Sequence, residues 1–308
     1  MNISKMLIPA LMLVFILLPA CVSSTLPPPT AVPSTFTSIP PDSSITPIAN
    51  VLAQALTVGN YQYVMECSGE GSPVVLLLGG RGAAWKPIQA EINRSTRTCV
   101  FDYMGSSTQP LSAKQIAMNI HILLEDAGIT TPYVTVGFSI GGFVARLFAN
   151  LYPDEVGGVT LLDSSHEDQN ARFLDALPPE TSDCQELKDY RAELQGLHII
   201  PVGPNITLDF DASAAEVHSI EQDLSNLPLV VLTAGRSEWP DCFPSEIRQQ
   251  LDQAWLEMQN DLSGLSTNSL HLIAEESGHN FTEQPEMVIE AIERVIQAVQ
   301  TGGSVSPP

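Results

Sequence analysis

The stretch Gly137-Phe138-Ser139-Ile140-Gly141-Gly142 lies between two segments with different hydrophobic patterns. The apolar run from Tyr133 to Val136 predicts a buried strand, and the residues from Ile140 to Leu151 predict a helix. A serine flanked by glycines at such a junction holds its hydroxyl out on a sharp strand-to-helix turn. The pattern therefore predicts a nucleophile at Ser139, and a structural serine on a tight turn is the alternative.

Strand and helix signals alternate on both sides of this turn. The helix after Ser112 opens with capping-box spacing to Gln115, and a helix with one apolar face closes the chain. Such alternation predicts an α/β fold with a mostly parallel sheet that helices cover on both faces. The predicted strands are 61–67, 74–78, 98–101, 133–136, 159–162, 229–233 and 270–274.

The residues from Ser164 to Asn226 interrupt the alternation. They contain thirteen acidic and three basic residues, and they lack a buried strand signal comparable to the others. Several apolar residues in this segment indicate packing rather than a disordered acidic loop. We expect a small, mainly helical, acidic cap over the ends of the strands.

His279 follows the last predicted strand and precedes the last helix. Its place in the chain fits the order serine, acid, histidine. We expect His279 to accept the Ser139 proton and to return it to the leaving group.

With these motifs in place, the chain from about Gln62 to Gln300 resembles the α/β-hydrolase superfamily. The matching pieces include Phe101-Asp-Tyr-Met-Gly-Ser and Leu162-Asp-Ser-Ser-His-Glu-Asp-Gln169, besides the serine turn and Ser-Gly-His279. The resemblance implies an eight-stranded sheet with the second strand antiparallel. It also implies an oxyanion hole at the Gly79-Gly80-Arg81-Gly82 turn, with the backbone N–H groups of Arg81 and Ile140 as donors.

Two positions can supply the acid that orients His279. Gly235-Arg236-Ser237-Glu238, after the seventh strand, has a common glycine-to-acid spacing, and Asp163 ends the sixth strand. Chain order allows either residue. We favour Glu238, keep Asp163 open, and take Asp241 as the next choice should both fail.

Four cysteines in the folded part form no C-x-x-C pair, and H-E-x-x-H is absent from the sequence, so no metal site is expected. The resemblance places Cys67 and Cys99 on adjacent strands, which predicts a disulfide between them. Cys184 lies in the expected cap, and Cys242 follows the seventh strand. A bond between these two would tie the cap to the core.

The first twenty residues read as a signal peptide, since an apolar run from Met6 to Leu18 follows Lys5. Leu18-Pro-Ala-Cys21 resembles a bacterial lipoprotein signal in which Cys21 is lipidated, and ordinary cleavage near Cys21 is the alternative. Residues 21–50 form a proline-rich, serine- and threonine-rich linker. The hydrolase domain is expected at 51–302, with the cap at about 164–226 and a tail at 303–308.

The formal net charge of −22 argues against nucleic acid or anionic lipid headgroups as direct partners. We expect a cofactor-independent serine hydrolase that acts on a small uncharged or cationic ester or acyl compound, outside the cytoplasm and anchored by lipid. One alternative is a non-catalytic surface binding module, because Gly79-Gly80 replaces the usual His-Gly of the oxyanion turn. Peptidase, thioesterase or cofactor-free peroxidase chemistry on this fold is another.

Overall fold

A computed structural model of the chain describes residues 52–58, 61–80, 82–104, 109–178, 183–196, 198–203, 206–220 and 223–305. The expected signal peptide, Cys21, the linker and Arg81 lie outside these residues. Within the described part, no helix combines the length and the apolar character needed to span a membrane.

The described residues form ten strands, and eight of them make one sheet. The strands are β1 (Leu52–Val58), β2 (Tyr61–Ser68), β3 (Val74–Leu78), β4 (Thr98–Met104), β5 (Tyr133–Phe138), β6 (Val156–Leu162), β7 (Ile199–Gly203), β8 (Ile206–Asp209), β9 (Leu229–Ala234) and β10 (Ser269–Ala274). The order in the large sheet is β1-β2-β4-β3-β5-β6-β9-β10. Because β2 pairs antiparallel with both β1 and β4 while the other pairs are parallel, seven strands share one direction and β2 opposes them.

Helices cover both faces of this sheet, as the alternating pattern predicts. They are α1 (Gly82–Ile92), α2 (Ala113–Asp126), α3 (Gly141–Leu151), α4 (Gln169–Ala176), α5 (Gln185–Gln195), α6 (Phe210–His218), α7 (Ser245–Ser263) and α8 (Pro285–Thr301). Alternate side chains of β3 enter two separate clusters, one with α1 and α8 and the other with α2 and α3. A strand buried on both faces explains why β3 is wholly apolar. Ser112 and Gln115 form the predicted capping box of α2.

The segment that interrupts the alternation contains α4, α5 and α6, together with a two-stranded antiparallel sheet of β7 and β8. It is therefore mainly helical but includes a hairpin that the sequence pattern did not predict. Apolar residues of α4 and α5 pack against α7 in a third buried cluster that contains Phe173, Tyr190 and Phe243. This cluster joins the segment to the core of the domain.

Two disulfides link the folded part. Cys67 and Cys99 are direct partners in the antiparallel register of β2 and β4, with a Cα–Cα distance of 4.0 Å. Cys184, at the N-terminus of α5, is bonded to Cys242 on the loop after β9, with a Cα–Cα distance of 5.7 Å. The second bond attaches the inserted segment to that loop.

Candidate active site

Ser139 stands between the end of β5 and the start of α3, and its backbone has φ of +52°. A non-glycine residue rarely adopts this conformation, which turns the side chain out of the bend. The bend brings Gly141 onto the carbonyl oxygen of Leu78, so that a Cβ atom at that position would collide with backbone. The local sequence thus fits a tight turn that presents the Ser139 hydroxyl.

His279 comes from the loop between β10 and α8, and its Nε2 lies 3.1 Å from Ser139 Oγ. The imidazole packs beside the ring of Phe138, with the ring centroids 4.8 Å apart. A neutral imidazole with its hydrogen on Nδ1 accepts the Ser139 hydroxyl hydrogen at Nε2. The structure therefore brings together the two residues that the sequence nominates as nucleophile and base.

Asp163 completes this arrangement from the end of β6. Its Oδ2 lies 2.6 Å from His279 Nδ1, and the residue is only 5% exposed. The other oxygen, Oδ1, accepts hydrogen bonds from the Ala234 backbone N–H at 3.1 Å and from the Trp255 indole N–H at 2.8 Å. Oδ1 therefore accepts two hydrogen bonds, while Oδ2 faces His279.

Glu238, the acid that the sequence analysis favoured, has different surroundings. It follows β9, its side chain is 48% exposed, and its carboxylate lies 4.0 Å from the Arg236 guanidinium. The carboxylate also lies against Gly278, one residue before His279. Since His279 Nδ1 faces Asp163, the geometry favours Asp163 over Glu238; Asp241 is an exposed residue of the same loop as Glu238.

The expected oxyanion turn is described only in part, because Arg81 lies outside the described residues. Gly79 and Gly80 both have φ in the left-handed region, at +82° and +67°. Trp85 donates its indole N–H to the Gly79 carbonyl at 2.7 Å, and Asp102 Oδ1 accepts from the Gly82 N–H at 2.8 Å. Ile140 lies at the N-terminus of α3, directly after Ser139, where backbone N–H groups favour negative charge.

A buried ion pair supports the chain just after Asp163. Arg146 of α3 donates two hydrogen bonds to Glu167, at 2.7 and 3.0 Å, and both side chains are at most 4% exposed. Burial alone would raise the pKa of Glu167, but the hydrogen bonds and positive charge of Arg146 outweigh it and lower the pKa to about 2. The pair joins the helix that follows the nucleophile to the segment that follows the acid.

His166, three residues after Asp163, has a structural environment. It is buried, and its Nδ1 accepts the backbone N–H of Asp168 at 3.0 Å. Burial is the largest cause that lowers the pKa of His166; the nearby Arg146 and Arg172 lower it further, and Glu167 and Asp168 oppose them. Its contacts thus hold the start of the inserted segment in place.

Among the described residues, one group has the spacing of metal ligands: Cys184, Glu186 and Cys242. The two cysteines are bonded to each other, so their sulfur atoms are not thiolates. This group therefore does not fit a metal ion while the disulfide is intact.

Sequence reasoning missed two contributors to this site, Trp85 and Trp255. Trp255 donates its indole N–H to Asp163, which lies 92 residues away in the chain, and Trp85 donates to Gly79 on the adjoining turn. A tryptophan in a helical, apolar pattern gives no local signal that its N–H serves a polar site.

Comparisons with known proteins agree with this architecture. A family model described as alpha/beta hydrolase fold matches residues 73–191, which run from β3 into α5 and include Ser139. The uncharacterized protein YqjL of Bacillus subtilis is 26% identical over 233 residues, which cover 73% of this chain and 83% of YqjL. RutD of Escherichia coli, a proposed carbamate hydrolase, is 33% identical over 94 residues, which span only 35% of its length.

Among solved structures, a thermophilic esterase from Thermogutta terrifontis superimposes with a TM-score of 0.51 at 20% identity. The match covers 82% of this chain and 99% of the esterase. Identity at this level shows a shared fold. Together with the sheet order and the family model, it shows that this chain has the α/β-hydrolase fold.

Proposed function

We propose that the chain is a serine hydrolase that cleaves an ester or a related acyl bond through an acyl-enzyme at Ser139. One observation carries the proposal: the unbroken series of contacts from Asp163 to His279 at 2.6 Å and from His279 to Ser139 at 3.1 Å. These distances match a nucleophile, a base and an orienting carboxylate held in one geometry.

The arrangement supports a two-step reaction. His279 Nε2 takes the hydroxyl proton as Ser139 Oγ bonds to the carbonyl carbon, and the same nitrogen then gives the proton to the leaving group. Water attacks the resulting acyl-enzyme with His279 again as the base, which releases the acid and restores Ser139. Asp163 stabilises the imidazolium, and the backbone N–H groups of Ile140 and Arg81 are the proposed donors to the oxyanion.

Charge narrows the substrate class. The segment from Ser164 to Asn226 carries thirteen acidic and three basic residues, so we propose that it is an acidic cap that disfavours anionic substrates. The fold shared with an esterase, and the partial similarity to RutD, support an ester or a related acyl bond, and the acidic segment favours an uncharged or cationic compound.

The decisive experiment compares Ser139→Ala with Ser219→Ala, which removes an exposed hydroxyl of the inserted segment. We expect the native chain and Ser219→Ala to hydrolyse p-nitrophenyl esters and to react with a fluorophosphonate probe. Ser139→Ala should lose both properties because it lacks the nucleophile. Unchanged turnover in Ser139→Ala would refute the assignment.

The same probe addresses the alternative of a non-catalytic binding module. Gly79-Gly80 in place of the usual His-Gly motivates that alternative, whereas the close contact of Ser139 and His279 argues against it. Failure of the probe to label the correctly folded native chain would favour the binding module.

We also propose that the protein acts outside the cytoplasm and is lipidated at Cys21, with the linker as a tether. The two disulfides support an oxidising compartment. Detergent phase partition of protein from a bacterial host tests the anchor: the native chain should enter the detergent phase, and Cys21→Ser should stay in the aqueous phase. Equal partition of the two proteins into the aqueous phase would contradict lipidation.

A further inference from the structure

The three tryptophans of the chain donate their indole N–H groups to three different residues. Trp85 donates to the Gly79 carbonyl, Trp239 donates to the Asp252 carboxylate at 2.5 Å, and Trp255 donates to Asp163 Oδ1 at 2.8 Å. Only Trp255 contacts the carboxylate that faces His279. Trp255 lies in α7, 92 residues after Asp163 in the chain.

Asp163 depends on such donors for its orientation. Its backbone has φ of +39°, so the residue lies on a sharp bend after β6 rather than in the regular strand. Its two oxygens divide their partners, since Oδ2 faces His279 whereas Oδ1 accepts from Ala234 and Trp255. Two donors on Oδ1 fix the rotation of the carboxylate and thereby fix the position of Oδ2.

The indole of Trp255 is itself held by the inserted segment. It stacks on Phe173 of α4, with the ring centroids 6.0 Å apart and the planes 24° from parallel. Phe173 in turn contacts Tyr190 of α5 and Trp239 of the loop after β9. The bond between Cys184 and Cys242 ties α5 to that same loop.

From this geometry we infer that Trp255 is a positioning residue that sets the orientation of Asp163 and, through it, of His279. The inference rests on the proposed hydrolase function. The indole N–H holds Oδ1, so that Oδ2 stays in line with Nδ1 while the imidazolium forms. The aromatic contact with Phe173 makes this orientation depend on the packing of the inserted segment.

The test is Trp255→Phe, which removes the N–H and keeps an aromatic ring. Trp239→Phe is the matched control, because it makes the same change in the same aromatic cluster at a hydrogen bond to Asp252, a half-buried carboxylate. We expect kcat per live site to fall about 10- to 100-fold in Trp255→Phe, with KM nearly unchanged, as for a lost hydrogen bond to a charged group. Trp239→Phe should stay within about twofold of the native rate.

The division of the effect between kcat and KM separates positioning from a general loss of packing. The indole N–H acts through Asp163 on His279, so its removal should lower kcat per live site and leave KM nearly unchanged. A loosened aromatic cluster would instead lower the fraction of live sites, in Trp239→Phe as well as in Trp255→Phe.

Active-site titration with the fluorophosphonate counts live Ser139 sites, which corrects each rate for any misfolded fraction. Equal kcat per live site in the two variants would overturn the inference. A native chain that neither labels nor turns over any ester would instead refute the proposed function, so the two failures are distinguishable.

Discussion

The loop after β6 and the loop after β9 each carry an acid near His279, but the two acids differ in burial and in partners. Asp163 is 5% exposed, faces His279 with one oxygen and accepts two hydrogen bonds with the other. Glu238 has a side chain that is 48% exposed, with a guanidinium 4.0 Å away. Both positions fit the same chain order, and only their surroundings distinguish them.

This difference shows what orients a base. A carboxylate that is shielded from water and held by donors keeps one position, and its charge acts strongly because the local dielectric is low. An exposed glutamate samples several rotamers, and water screens its charge. The comparison therefore favours Asp163 for reasons that spacing in the sequence does not contain.

The largest expected effect comes from exchanging the two carboxylates for amides. Asp163→Asn should lower kcat by about ten-thousand-fold, since the amide favours the wrong imidazole tautomer and no longer stabilises the imidazolium. Glu238→Gln, its matched control, should keep kcat within about threefold of the native chain. Ester turnover, with circular dichroism as a check of folding, measures both.

A severe loss in Glu238→Gln together with near-normal turnover in Asp163→Asn would reverse the comparison. Near-normal turnover in both variants would exclude both acids as the residue that orients His279. Asp241, on the loop after β9, would then be the next acid to replace.

Local patterns in the sequence were sufficient to nominate two residues that lie in contact in the structure. Ser139 and His279 could be nominated because a strand, a tight turn and a helix surround each at the expected place in the chain order. The strand and helix alternation likewise predicts the two-sided sheet, because the central strands are apolar without interruption. In each case the signal lies in local stretches of sequence and does not depend on contacts between distant residues.

The parts that local patterns do not decide depend on contacts between distant residues. The preference for Glu238 rested on spacing, whereas the choice of acid depends on donors from Ala234 and Trp255. The hairpin of β7 and β8 was missed because Pro201 lies inside β7, and proline weakens a strand signal. Burial and partners at these positions arise only when the chain has folded.

The two loops also differ in how ion pairs hold them. After β6, Glu167 pairs with Arg146 at 2.7 Å, and both side chains are at most 4% exposed. After β9, Arg236 pairs with Glu283 at 2.6 Å, with side chains that are 54% and 32% exposed. A buried pair is costly to break from one side, whereas an exposed pair contributes about 0–1 kcal/mol.

Glu167→Gln and Glu283→Gln form a matched test of that contrast. At neutral pH we expect Glu167→Gln to lower the free energy of unfolding by about 3 kcal/mol, which corresponds to a Glu167 pKa lowered from 4.5 to about 2.

A lowered pKa stabilises the fold above pH 4.5, and this stabilisation is lost as the pH falls toward 2. The difference between the native chain and Glu167→Gln should therefore narrow below pH 4.5 in urea unfolding, while Glu283→Gln stays within about 1 kcal/mol of the native chain. The contrast would be refuted if Glu167→Gln and the native chain differed little in their free energy of unfolding at neutral pH, or if that difference widened in acid. Either result would show that burial of the Arg146–Glu167 pair does not hold the β6 loop.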